Sequence, residues 1–208
     1  MGPLIDISPV LSPRVAVWPG DVAFSRDISV SFAGGGNLDL SAIRTTLHVG
    51  AHTDGPSHYA AGAPGIDARP LETYFGPCEV LRVHIGRGER IFPRHFPSEP
   101  RCRRILLCTG TFPDPDRFDT DFAALSAELV DWLADFGVIL VGIDTPSVDL
   151  YADKALEAHS AIHRRDLAIL EGIVLDHVEP GIYRLIAFPL RIEGADASPV
   201  RAVLQAMG

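Results

Sequence analysis

The sequence predicts an α/β fold, a β-rich mixed sheet or barrel-like domain with a few packed helices. Three observations point there. Short runs rich in Val, Ile and Leu outnumber amphipathic stretches. The two helical stretches fall in the second half of the chain. The 17 Pro and 19 Gly are spread along the 208 residues instead of pooling in a linker. No change of composition divides the chain, so residues 1–208 read as one domain.

Taken in order, Val22, Phe24, Arg26, Ile28 and Val30 share one parity, with Ala23, Ser25, Asp27 and Ser29 between them, which predicts a half-buried strand. Gly34, Gly35, Gly36 and Asn37 form a turn, making residues 22–47 two strands around a loop. Apolar runs at 78–85, 104–109, 137–143, 173–175 and 182–188 each fit a strand, and those without alternation fit strands buried on both faces. Residues 121–136 predict a helix, because Phe122, Leu125, Leu129, Trp132, Leu133 and Phe136 fall on one stripe. Asp119, Thr120 and Asp121 offer capping oxygens at its start and Gly137 ends it. A second helix is predicted over 151–165.

Composition narrows the partners. With 18 Lys plus Arg against 27 Asp plus Glu, the net charge is -9, which opposes binding to duplex DNA or an anionic membrane. No apolar stretch approaches the roughly 18 residues of a spanning helix, and the amino-terminal residues lack the pattern of a signal peptide. Cys78, Cys102 and Cys108 cannot all pair within the chain and show no Cys-x-x-Cys spacing, which favours a reducing compartment. A soluble, cytoplasmic protein is expected, with neither nucleic acid nor membrane as partner.

The most informative segment holds His48, Gly50, His52, Asp54, Gly55, Pro56 and His58. The three His and the Asp share even parity, so an extended chain turns His52 and Asp54 the same way, and a bend at Gly50 lets His48 join them. Imidazole and carboxylate are natural ligands for zinc, manganese or iron. The competing reading is a hydrogen-bonded structural loop. A carboxylate on one metal can bridge to a second, whose other ligands must come from elsewhere. His159 and Glu171 are candidates, His163 competes from the same helical face, and His177, His84 and His95 are also available. Chemistry alone does not choose among them.

The segment resembles the pattern His-x-Gly-Thr-His-x-Asp-x-Pro-x-His of the cyclase-type metal-dependent hydrolases, and among them the bacterial kynurenine formamidases (arylformamidases). It departs only at Ala51, where Thr is usual. Asp6, Ile7, Ser8 and Pro9, then Val17 to Asp21, resemble the family's opening strand and substrate-side loop, and residues 142–149 its central loop. The resemblance runs from about Leu4 to about Leu204.

It implies a cyclase-family fold and a homodimer. It implies two zinc ions per chain, with manganese or another divalent metal as the alternative: His48, His52 and Asp54 on the first, Asp54 bridging, and His159 and Glu171 completing the second. His58 is then the general acid/base and Trp18 packs on the substrate's aryl ring. From the sequence alone, Trp18 also fits a core position. The implied reaction is hydrolysis of the small aryl formamide N-formyl-L-kynurenine to L-kynurenine and formate, in tryptophan catabolism. The alternatives are a cyclase-family hydrolase of isatin or a related cyclic amide, and a non-catalytic metal-stabilised binding protein. The Gly-x-Ser-x-Gly elbow of serine hydrolases is absent from the sequence.

Overall fold

Apolar runs without alternation become neighbouring strands covered on both faces. The computed structural model describes residues 2–207. In chain order its elements are β1 (Leu4–Asp6), β2 (Ser25–Val30), β3 (Leu40–Arg44), β4 (His52–Asp54), β5 (Phe75–Arg82), β6 (Arg90–Ile91), β7 (Arg104–Cys108), β8 (Ala124–Leu125), α1 (Ala127–Asp135), β9 (Leu140–Ile143), α2 (Glu157–Arg165), β10 (Ala168–Leu170), β11 (Gly181–Ile186), β12 (Ala197–Pro199) and β13 (Val203–Ala206).

Seven strands form a mixed, curled sheet in the order β1-β13-β11-β5-β7-β9-β10. The pairs from β1 to β5 are antiparallel and those from β5 to β10 are parallel. Alternation divides the core. Val80, Leu106, Leu140 and Leu170 face one layer, which also takes Ile7, Ile173 and Leu185. Leu81, Ile105, Leu107, Val141 and Ile169 face the other, against Leu129 and Leu133 of α1 and Ile162 of α2. Burying each such side chain contributes about 1.5–3 kcal/mol. The α/β class with a β-rich mixed sheet and a few helices is therefore the architecture found.

Four elements differ from the sequence expectation. The first helix starts at Ala127, because Ala124 and Leu125 form β8 and the amides just before the helix are already used: Ala124 donates to Glu89 O, Leu125 to Val148 O and Ser126 to Ile91 O. Ser126 Oγ caps the helix by accepting from Leu129 N at 3.0 Å, while Asp119 and Asp121 pair with Arg87 instead. The second helix starts at Glu157, where the carboxylates of Asp149 and Asp153 receive the first free amides. The strand expected at 173–175 lies upstream at Ala168–Leu170. Gly172, at φ +63°, turns the chain, and Ile173 and Leu175 are buried without strand pairing.

The fourth difference is the hairpin β2–β3. It pairs antiparallel as expected, but every residue of β3 and all but the first of β2 are exposed. Its parity pattern marks an apolar surface that this chain does not cover. No helix among the described residues is long and apolar enough to cross a membrane.

Candidate metal centre

Strand β4 carries the centre. It pairs with β12 on one side. On the other, the backbone of His52 exchanges both hydrogen bonds with Glu171, at 3.1 and 2.9 Å. Alternation turns His52 and Asp54 to one side and Thr53 to the other, where its hydroxyl donates to Ile169 O. Gly50, at φ +57°, supplies the bend that brings in His48. Glu171 follows β10 directly, and His159 sits on the buried face of α2. The centre thus lies beyond the carboxyl ends of parallel strands, where open α/β sheets commonly bind ligands.

All five expected ligand residues meet there. His48 Nδ1 lies 3.1 Å and His52 Nε2 3.6 Å from Asp54 Oδ1. His159 Nε2 lies 3.5 Å from Asp54 Oδ2 and 3.9 Å from Glu171 Oε1, and His52 Nε2 lies 3.1 Å from Glu171 Oε2. The two oxygens of Asp54 therefore face different histidines. His163, His84 and His95 are not among these contacts. His163 and His84 are exposed, His95 accepts from Phe92 N in its own turn, and His177 bonds Asp6 O.

Several of these atoms lack any hydrogen-bond partner among the described residues. His52 Nε2, both Asp54 oxygens and His159 Nε2 are buried and unpaired. Leaving such groups unsatisfied is costly. Their close approaches are not aligned as hydrogen bonds but converge, as donors around a cation do. His52, Asp54 and Glu171 can hold a metal ion, as can His48, Asp54 and His58. The donor set of imidazoles and carboxylates fits a divalent metal such as zinc.

Electrostatics agrees. Burial pulls the His48 imidazole down, but the Asp54 and Asp196 carboxylates outweigh it and push its pKa up to about 9. Burial likewise opposes charge on His159, and Asp149 and Asp54 push it up to about 10. Burial raises Asp54, but the surrounding histidines hold it well below the usual carboxylate range. The carboxylates thus attract positive charge to this point. His58 differs: burial dominates and lowers its pKa. Its side chain is 36% exposed, against 1–4% for Asp54, His52, Glu171 and His159, and its ring lies 4.2 Å from that of His48.

A cavity of about 470 Å³ opens over the centre, with His48, His52, His58, His159 and Glu171 among its lining and Trp18, Phe112 and Phe118 around it. That volume suits a small aryl substrate. Trp18 is half-buried, 5.0 Å from the Tyr151 ring and 5.4 Å from Phe118, so it is packed on one side while lining the cavity. The structure thus places Trp18 at the cavity and not in the closed core.

The sequence reading missed three groups. Asp196, before β12, accepts from His48 Nε2 at 2.9 Å and lies 3.8 Å from His58 Nδ1. Asp149 holds His159 from behind. Phe112 and Phe118 complete the aromatic wall, and Tyr151 packs against Trp18 and Phe118. A clustering of aromatics in the loops after strands could have flagged the wall, but nothing local marked Asp196.

The Cyclase family model matches residues 5–150. The kynurenine formamidase of Bordetella petrii is 42% identical over 207 residues, 99% of each chain. Among solved structures, a potential metal-dependent hydrolase with cyclase activity superposes with a TM-score of 0.84 at 23% identity, covering all of both chains. Isatin hydrolase A from Ralstonia solanacearum superposes with a TM-score of 0.81 at 20% identity, over 99% of this chain and 92% of its own. At those identities the two structures speak for the fold alone. With a family model spanning most of its length and a full-length relative at 42% identity, the chain belongs to the Cyclase family.

Proposed function

We propose that the protein is an arylformamidase that hydrolyses N-formyl-L-kynurenine to L-kynurenine and formate in tryptophan catabolism. The observation that carries the reading is the set of buried, unpaired donors of His52, Asp54 and His159 beneath an aromatic-walled cavity. Full-length identity of 42% to a kynurenine formamidase supports the substrate.

In this reading His48, His52 and Asp54 would hold one zinc ion, and Asp54, His159 and Glu171 would hold a second, with manganese or another divalent metal as the alternative. A metal held there would supply acidified water, with a pKa toward about 7, and positive charge for the formyl oxygen. The chain's own residues do the rest. Trp18, backed by Tyr151 and Phe118, offers a rigid face for the aryl ring. That orients the formyl group over the donors and excludes water from the ring side. Attack of water at the formyl carbon leaves an aniline nitrogen that departs poorly as an anion. His58, beside His48, takes up the proton that the attacking water gives up and delivers it to this nitrogen as the carbon–nitrogen bond breaks.

Residues 1–208 act as one catalytic domain, since β1 and β13 from the two ends pair in the same sheet. A homodimer is proposed on the hairpin β2–β3. Ile28, Phe32, Leu40 and Ile43 are 55–64% exposed on a ribbon that is marginal in water by itself. A second copy covers it with the same surface under twofold symmetry, so no other partner is needed. Three free cysteines, two of them buried, support a cytoplasmic location.

The test is a panel of N-formyl-L-kynurenine, N-formylanthranilate and isatin with metal-loaded protein, following formate and ring opening. Preferred formate release from N-formyl-L-kynurenine is expected. Ring opening of isatin as the faster reaction would transfer the reading to a cyclic amide hydrolase, and no turnover at all would leave a binding protein.

A further inference from the structure

The residues proposed for the second metal share one support. Val148 N donates to Glu171 Oε1 at 2.6 Å. The next residue, Asp149, accepts from His159 Nδ1 at 2.8 Å and from His159 N at 3.0 Å through Oδ2. His48 and His52 are held differently, by Asp196 and by the Gly50 carbonyl oxygen. One loop thus orients Glu171 and His159 and neither of the other two.

Asp149 is itself fixed. It is 1% exposed. Its Oδ1 accepts from Ala158 N at 2.9 Å and from Arg90 Nη1 at 2.9 Å. Arg90 also reaches Asp153 at 2.6 Å. A carboxylate amid four donors has no proton of its own to give, so the shared proton sits on His159 Nδ1. When a metal displaces the other proton of this imidazole, the Nε2 lone pair faces Asp54 and Glu171, where Nε2 is buried and without a hydrogen-bond partner.

We infer that Asp149, clamped by Arg90, is a positioning residue for the second metal: it fixes His159 with Nδ1 protonated and Nε2 presented to the site. The inference rests on the two-metal reading proposed above. Carboxylates behind a metal-binding imidazole set its tautomer and raise its basicity, and losing one typically weakens metal affinity about 10- to 100-fold.

The experiment is a calorimetric zinc titration of the full-length, chelator-stripped protein and its Asp149→Asn variant, with thermal melts of both metal-free proteins. Asn keeps the size but replaces the charged acceptor with a neutral amide. The wild type is expected to take two equivalents, and the variant to keep the first while binding the second about 10- to 100-fold more weakly. Two equivalents of unchanged affinity in the variant, with only a lower melting temperature, would reduce Asp149 to a helix cap and overturn the inference. A single equivalent in the wild type would instead overturn the two-metal reading on which it stands. If the variant does not fold, nitrogen-15 imidazole spectra of the zinc-loaded wild type decide, with His159 assigned from His159→Gln. Zinc on Nε2 with a protonated Nδ1 upholds the inference, and zinc on Nδ1 overturns it.

Discussion

His52 and Glu171 exchange both backbone hydrogen bonds, and the same pairing sets His52 Nε2 3.1 Å from Glu171 Oε2. A short stretch of sheet thereby joins the His-rich segment to the end of β10. The donors from the two regions meet because the backbones are paired, before any metal contributes.

That pairing depends on Gly172. Its φ of +63° is disfavoured for other residues, and a Cβ there would strike the Gly50 carbonyl oxygen. Gly172→Ala should cost roughly 2 kcal/mol or more, which lowers the melting temperature of the metal-free protein by about 4 °C or more. It should also weaken metal binding, since both glycines flank ligand residues. Thermal unfolding with and without zinc checks both effects, and an unchanged melting temperature would contradict the close approach.

Trp18→Ala should raise KM for an aryl formamide about 10-fold while leaving metal content unchanged. Steady-state kinetics beside metal analysis makes the comparison. Loss of metal or of folded structure would mean that its packing on Tyr151 and Phe118 is its main role.

The hairpin predicts an oligomeric state. Sedimentation of the wild type should report twice the 22.4 kDa chain mass. A double variant carrying Ile28→Asp and Ile43→Asp should shift to a single chain mass, because desolvating two carboxylates against an apolar partner surface is costly. A monomeric wild type, or a variant that stays dimeric, would refute the interface.

His58→Ala should keep its metals and lose about 10²- to 10⁴-fold in kcat/KM on a formanilide, whose leaving nitrogen needs a proton. On the matched aryl formate ester, whose phenolate leaves unaided, the loss should be much smaller. Equal losses on the two substrates would leave His58 no role as acid toward the leaving nitrogen.

How much of this was legible in the sequence follows from where each group sits. His48, His52, Asp54 and His58 lie within one short segment, so period-two alternation and a glycine bend were enough to read them as a cluster. From chemistry alone His159 and Glu171 were candidates among several residues, chosen only by the family resemblance, because their convergence depends on the bridge between His52 and Glu171 and on the packing of α2. Asp149 ends the 142–149 segment that resembles the family's central loop, but its hold on His159 could not be read from that resemblance, and Asp196 reaches His48 across the fold with no local pattern to mark it. The hairpin misled in an instructive way: alternation reports that one face avoids water, but not whether the chain itself or another copy covers it. The first helix was overextended because Phe122 and Leu125 fit a helical stripe, yet their segment is held extended by β6 and the loop at Val148.

The central claim is that the donor cluster at Asp54 runs a metal-dependent formamidase. The most direct measurement is formate release from N-formyl-L-kynurenine by protein stripped with a chelator and reloaded stepwise with zinc. The account predicts that stripping abolishes turnover and that reloading restores it, with full activity reached only near two equivalents per chain. Undiminished formate release by the stripped protein, or none after full reloading, would contradict it.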